Sequence, residues 1–337
     1  MAPGILVENG TSIPEVSGAK RSNNAAPRDI FPDGIRTSGQ QPPLYDKLKP
    51  YEAFPKEVAG PTLWEAEDYQ HNPEKWVHVF TEEEKAELSK AADDFTASGT
   101  PLTGMTKDNF PLKTLGKLMT EIREDVINGK GFILMKGFPV NEWGVDKSAV
   151  AYIGLGTYLG YFVSQNGKGH ILGHVKDLGD DPTQIHRVRI YRTNARQFFH
   201  CDTGDIVGLL CLHRALEGGE SDIVSVHHVF NTLQKERPDV VKTLTEPNWY
   251  FDRKGEVSEG QEEWIKTSVL YMEPSGKGRV YCKWDPYFVR SLSRFSDAGR
   301  IPPLSAAQQE AVQVLEDTVS ANATWNISTD SVSSVCD

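Results

Sequence analysis

The chain of 337 residues has only four cysteines, at positions 201, 211, 282 and 336, and no two of them form a CxxC pair. That excludes a disulfide framework as the basis of the fold. It fits a reduced intracellular compartment, so a cytoplasmic location is expected. Positive charge is scarce as well: 36 Lys and Arg stand against 47 Asp and Glu, a formal net charge of −11. Affinity for phosphate comes from clustered Lys and Arg, so the balance argues against a general nucleic-acid binder. Long hydrophobic runs are missing. A run such as Ile206–Leu212 falls far short of the ~20 residues that a membrane span needs. The opening MAPGILVENG has neither the basic region nor the long apolar core of a secretory signal. No internal repeat is present. The expected partner is therefore a small molecule, with no nucleic acid and no membrane, and the sequence carries no signal for an oligomeric state.

What is there changes along the chain. Residues 1–45 are rich in Pro, Gly, Ser and Asn without apolar periodicity, and read as a disordered leader. Globular composition begins around Trp64 and Trp76. Thr81 with Glu84 forms a capping box, and Leu88, Ala91, Ala92 and Phe95 follow at helical spacing. A second helix is expected from about Leu112, with Leu115, Leu118, Met119, Ile122 and Val126 on one face and a stop at Asn128-Gly129. A strand follows over 131–135, then a third helix over 146–159. From Arg187 onward the pattern predicts strands at 188–191, 198–199, 205–212 and 221–224. Val226, Val229, Phe230 and Leu233 return to helical spacing until Pro238, and strand-like pieces follow at 269–272 and 279–284. Ser305 with Gln308 caps a last helix bearing Ala311, Val312, Leu315 and Val319. Helices first and a mainly antiparallel β region after them predict an α+β fold with a sandwich or barrel core. Residues 320–337, rich in Ser and Thr without Lys or Arg, predict a divergent, unstructured tail.

The sharpest chemical signal is His200-Cys201-Asp202. Residues i and i+2 of a strand share a face, so the imidazole and the carboxylate can grip one metal ion while Cys201 points away as a bystander. This is two thirds of the 2-His-1-carboxylate set that leaves positions open on Fe(II). Alone, H-x-D is a weak signal, and a surface His beside an Asp in a turn has the same spelling.

The context is more specific. GFILMKGFPV at 131–140, SQNGKGHILGHVKDLG at 164–179, FFHCDTGDIVGLLCL at 198–212, GGESDIVSV at 218–226, RPDVVKTL at 237–244 and FDRKGEV at 251–257 occur in this order. With these segments the chain resembles the taurine dioxygenase/clavaminate synthase-like (TauD/TfdA) group of Fe(II)/2-oxoglutarate-dependent dioxygenases, most closely its fungal and plant members. The resemblance covers about residues 60–319. It implies a double-stranded β-helix (jelly-roll) core with flanking helices. It also implies Fe(II), 2-oxoglutarate and O2 as cofactors, with ascorbate as a helpful reductant. The implied reaction oxidises a C–H bond of a small molecule, of the kind met in secondary metabolism, and releases succinate and CO2. His200 and Asp202 take the place of catalytic iron ligands. Ser221 stands where the family places a Thr that bonds a 2-oxoglutarate carboxylate; its alternative is a strand-start hydroxyl without a ligand. Ser164-Gln165-Asn166 fall where the family lines its substrate cleft, or form a structural turn. Arg187, Arg189 and Arg192 contact an acidic substrate on one reading and water on the other.

The chain also departs from the family. The resemblance implies a second His and an Arg far downstream of the H-x-D, the latter for the distal carboxylate of 2-oxoglutarate. After His200 only His213, His227 and His228 remain. If 226–233 is helical, His227 and His228 sit in its first turn and neither makes a third ligand. The expectation is a fold lacking its last strands. The alternative function is then a truncated, catalytically inactive relative without the distal His and the Arg.

Overall fold

The computed structural model describes residues 48–164, 170–185, 187–202, 204–215, 217–255, 257, 260–273 and 278–323, and the backbone of 333–335. The expected leader, Gln165 and Asn166 lie outside the described residues. The chain begins with β1 (Val77–Val79), α1 (Glu82–Ala97), α2 (Leu115–Asn128), β2 (Phe132–Lys136), α3 (Val140–Leu159) and β3 (Val207–Leu209). It continues with α4 (Val226–Glu236), α5 (Pro238–Thr245), β4 (Trp249–Asp252), β5 (Trp264–Thr267), β6 (Leu270–Met272) and β7 (Val280–Cys282). It closes with α6 (Pro286–Arg290), α7 (Ser293–Asp297), α8 (Ala306–Asn322) and β8 (Ser333–Val335). These elements group into two compact units. A helical unit draws on residues 58–163, 203–229 and 318–337, and a hairpin unit on 1–57, 164–202 and 230–317.

In the helical unit local chemistry sets the elements. The Thr81 hydroxyl accepts from the Glu84 N–H at 3.2 Å, and the Glu84 carboxylate accepts from the Thr81 N–H at 2.9 Å. This reciprocal cap satisfies two N-terminal donors of α1. Leu88, Ala91, Ala92 and Phe95 of α1 are buried, as are Leu115, Met119, Ile122 and Val126 of α2. Helix α3 starts six residues earlier than its pattern predicts and bends at Gly144, whose φ of 69° is open to glycine. Gly154 lets α3 approach Phe110: a Cβ there would lie 2.2 Å from the ring. Trp64, Trp76, Phe132, Leu134 and Ile223 form a second core in this unit.

The sheet of the helical unit has the order β1-β2-β8-β3, with β1 parallel to β2 and the other pairs antiparallel. Strand β8 comes from the segment predicted to be without structure. Its backbone lies between β2 and β3 and satisfies an edge of each. Helix α8 likewise runs on to Asn322, behind the predicted Ser305–Gln308 cap, where Ser305 accepts from the Gln308 N–H at 3.2 Å.

The hairpin unit holds two antiparallel pairs, β4–β5 and β6–β7. The second pair matches the predicted pieces at 269–272 and 279–284; β4, β5, α5, α6 and α7 have no counterpart in the predicted elements. Pro238 does not simply end α4. It occupies the first turn of α5, where its fixed φ and missing N–H cost nothing. Trp249 and Phe251 of β4 are fully buried with Val241 and Leu244 of α5. Asp252 is buried with a two-pronged bond to Arg294, whose Nη2 donates at 2.9 Å, and accepts from the Ser291 hydroxyl at 2.6 Å.

The fold class is α+β, as expected, and the described strands form one four-stranded sheet and two two-stranded sheets. The predicted strand at 188–191 is a 3-10 turn, Ile190–Arg192. The predicted strand at 198–199 has no regular element, 205–212 shrinks to β3, and 221–224 to a single bridge at Ser221. No helix among the described residues is long and apolar enough to cross a membrane.

Candidate metal site

His200 and Asp202 lie in the hairpin unit, on an irregular segment that packs on the turn between β7 and α6. The Cys201 N–H donates to the Trp284 carbonyl at 2.7 Å, and the Tyr287 hydroxyl donates to the Arg196 carbonyl at 3.3 Å. The Phe198 ring lies 5.6 Å from that of Tyr287, with the Arg290 guanidinium 4.9 Å from the Phe198 ring centre. Trp284 is held in turn by an edge contact with Trp249 at 6.5 Å. Asp285 caps α6, its Oδ1 accepting from the Tyr287 N–H at 2.8 Å. The strand expected here is absent, yet the two side chains still meet.

Their chemistry is set by neighbours. His200 Nδ1 is 2.9 Å from the Phe198 carbonyl, which can only accept, so Nδ1 carries the proton. Nε2 therefore presents its lone pair, and the Gln197 side-chain amide donates to it at 3.0 Å. The same Nε2 is 3.8 Å from Asp202 Oδ1. An ion bonded at about 2.1 Å to each donor spans that gap. A backbone carbonyl on the remote ring nitrogen is the support that a metal-binding imidazole uses. The side chains of His200 and Asp202 are 24% and 55% exposed, which leaves solvent a route to both. Among the described residues no group of three or more His, Cys, Asp or Glu side chains converges. The pair thus fits a metal as two protein ligands.

The other histidines after His200 are engaged elsewhere. His227 is buried and bonded to the Thr62 hydroxyl. His228 Nε2 is 2.8 Å from Asn322 Oδ1, and its Nδ1 is 3.7 Å from Glu65 Oε1. Both sit in the first turn of α4, as the spacing predicts, and serve the helical unit. His213 lies in an exposed loop.

Ser221 belongs to the helical unit, at a one-residue bridge after Gly218 and Gly219. Both glycines have positive φ, 73° and 80°, so this turn needs their freedom. Arg192 pairs with Asp180, and the Arg189 guanidinium lies 5.8 Å over the Phe288 ring. Arg187, Arg189 and Arg192 therefore do not alternate along a strand. Two lysines were not singled out by the sequence. Burial pushes the Lys254 and Lys283 ammonium groups below the usual lysine range. Lys254 lies in the FDRKGEV segment and Lys283 in the strand-like piece at 279–284, but neither pattern reports burial.

Residues 98–326 match the family described as taurine catabolism dioxygenase TauD, TfdA, and the chain belongs to that family. Its enzymes are oxygenases that use Fe(II), 2-oxoglutarate and O2. FR-33289 synthase of Streptomyces rubellomurinus (strain ATCC 31215) is 29% identical over 267 residues, 79% of this chain and 75% of that protein. Taurine hydroxylase-like protein SAT17 of Stachybotrys chartarum (strain CBS 109288 / IBT 7711) is 23% identical over 258 residues, 72% of this chain and 63% of that one. Among solved structures, asparagine oxygenase in complex with Fe(II), 2S,3S-3-hydroxyasparagine and succinate superposes with a TM-score of 0.56 at 15% identity, covering 78% of this chain and 85% of that one. The non-heme iron oxygenase OrfP gives 0.51 at 12% identity, covering 77% and 85%. These two likenesses concern the fold.

Proposed function

We propose that this chain oxidises a C–H bond of a small molecule in the cytoplasm, with 2-oxoglutarate converted to succinate and CO2. The observation that carries this reading is the His200 tautomer. Its unprotonated Nε2 lies 3.8 Å from Asp202 Oδ1, close enough for one ion to reach both. Bound iron supplies, with 2-oxoglutarate and O2, the oxidising power for C–H cleavage. The protein's own share is positioning. Phe198 orients the imidazole through its carbonyl, and the Cys201 N–H fixes the segment to Trp284. Gln197 holds Nε2 until a metal takes its place. Ser221 donates its hydroxyl to a carboxylate of 2-oxoglutarate in this reading. The free thiols of Cys201, Cys211 and Cys282 accord with a reducing compartment.

A second reading, a family member without catalytic activity, rests on the presence of only two converging ligands among the described residues. Incubation with Fe(II), ascorbate and 2-oxoglutarate separates the two. The first reading predicts succinate well above that from His200→Ala. Equal release from both proteins would favour the second.

A further inference from the structure

The H-x-D segment is fastened to one short element, α6, and to the turn before it. At one end the Arg196 carbonyl accepts from the Tyr287 hydroxyl at 3.3 Å. At the other the Cys201 N–H donates to the Trp284 carbonyl at 2.7 Å. Between these backbone anchors the Phe198 ring meets α6. It lies 5.6 Å from the Tyr287 ring, and the Arg290 guanidinium lies 4.9 Å from its centre. Phe198 is 39% exposed. Burial alone does not hold such a ring, so these neighbours define where it sits.

Arg290 is itself held. Its Nη2 donates to both carboxylate oxygens of Glu316, at 2.9 Å each. Glu316 stands on α8 next to the buried Leu315, so a helix anchored in the core carries the carboxylate. A guanidinium is planar and always charged, and can meet a carboxylate and an aromatic ring together. The Arg290 side chain is 44% exposed, and an ion pair this open to water adds little stability. Its placement gives it another use. The Phe198 carbonyl is the acceptor 2.9 Å from His200 Nδ1. One residue thus presents a ring to Arg290 and a carbonyl to the imidazole. Release of the ring frees the backbone between the two anchors, and Nδ1 then loses its fixed acceptor. Glu316, Arg290, Phe198 and His200 all belong to the hairpin unit.

We propose that Arg290, steadied by Glu316, is a positioning residue for the candidate metal pair. It holds the Phe198 ring, which keeps the His200 proton on Nδ1 and leaves Nε2 available to a metal. The inference rests on the reading of His200 and Asp202 as metal ligands.

Two measurements on the full chain test it. Heteronuclear NMR of the histidine rings in metal-free protein reads the tautomer of neutral His200, with His200→Ala assigning the signals. Titration with Co(II), followed by its visible absorption, reads affinity and ligand geometry. Wild type should carry the His200 proton on Nδ1. Arg290→Gln should mix the tautomers and weaken Co(II) about two- to fivefold, the range of a half-exposed cation–ring contact. Arg290→Lys keeps a cation for the ring and should stay within about twofold of wild type. Glu316→Gln should act in the same direction as Arg290→Gln, but more weakly. Phe198→Leu removes the ring and keeps the carbonyl, so Arg290→Gln should cost Co(II) binding nothing further in that background. Unfolding midpoints control for folding. Wild-type tautomer and Co(II) affinity in Arg290→Gln, or in Glu316→Gln where the first does not fold, overturn the proposal. So do losses from Phe198→Leu and Arg290→Gln that simply add. Absence of Co(II) binding to wild type would remove the metal reading instead, and the tautomer in metal-free protein would still decide the role of Arg290.

Discussion

Helices α1–α3 and the segment from 170 to 225 are both written in clear apolar patterns, yet only the first produced what its pattern predicts. Each helix closes its own hydrogen bonds, so a cap and a periodic face nearly suffice to define it. A strand pattern defines a face but not the neighbour that must pair with it. Four predicted strands between 188 and 224 became one three-residue strand, one bridge, one 3-10 turn and one irregular stretch. The candidate pair, His200 and Asp202, stands in that second region. Its geometry comes from contacts with Trp284, Tyr287 and Phe198 rather than from a ladder.

The comparison predicts where substitutions will hurt. The largest loss is expected for Phe110→Ala, which empties the fully buried contact with Gly154. Urea unfolding should report a cost of about 3–5 kcal/mol. Asp252→Ala should follow at about 3 kcal/mol, because it leaves Arg294 without the carboxylate that fixes it in the hairpin unit. Thermal melts of Thr81→Ala should show a loss of about 1 kcal/mol from the cap of α1. Leu209→Thr, at a 45% exposed position of the edge strand β3, should change stability by less than about 0.5 kcal/mol. A cost at Leu209 comparable to that at Phe110 would break the comparison, since β3 would then be a core element.

Much of the helical unit was legible, and so was the start of α8 in the hairpin unit. Thr81 with Glu84 and Ser305 with Gln308 are local signals, and both caps form. The H-x-D spacing was legible too, although for a reason that did not hold. A regular strand was expected to align His200 with Asp202, and an irregular segment pinned at Cys201 brings them together instead. The hairpin β4–β5 was missed because Trp249-Tyr-Phe-Asp252 and Trp264-Ile-Lys-Thr267 are short and separated by a polar loop. Strand β8 was missed because its partners, β2 and β3, are more than a hundred residues away in sequence. Lys254 and Lys283 were invisible for a related cause. A lysine becomes unusual only when folding buries it, and nothing in its sequence neighbours reports that.

The central claim is that His200 and Asp202 hold the iron of an oxygenase. The most direct measurement is metal content after anaerobic equilibration with Fe(II), for wild type, His200→Ala and Asp202→Ala. The account predicts one iron per chain in wild type, loss of that iron in both variants, and unchanged unfolding midpoints without metal. Iron bound equally by all three proteins would contradict it.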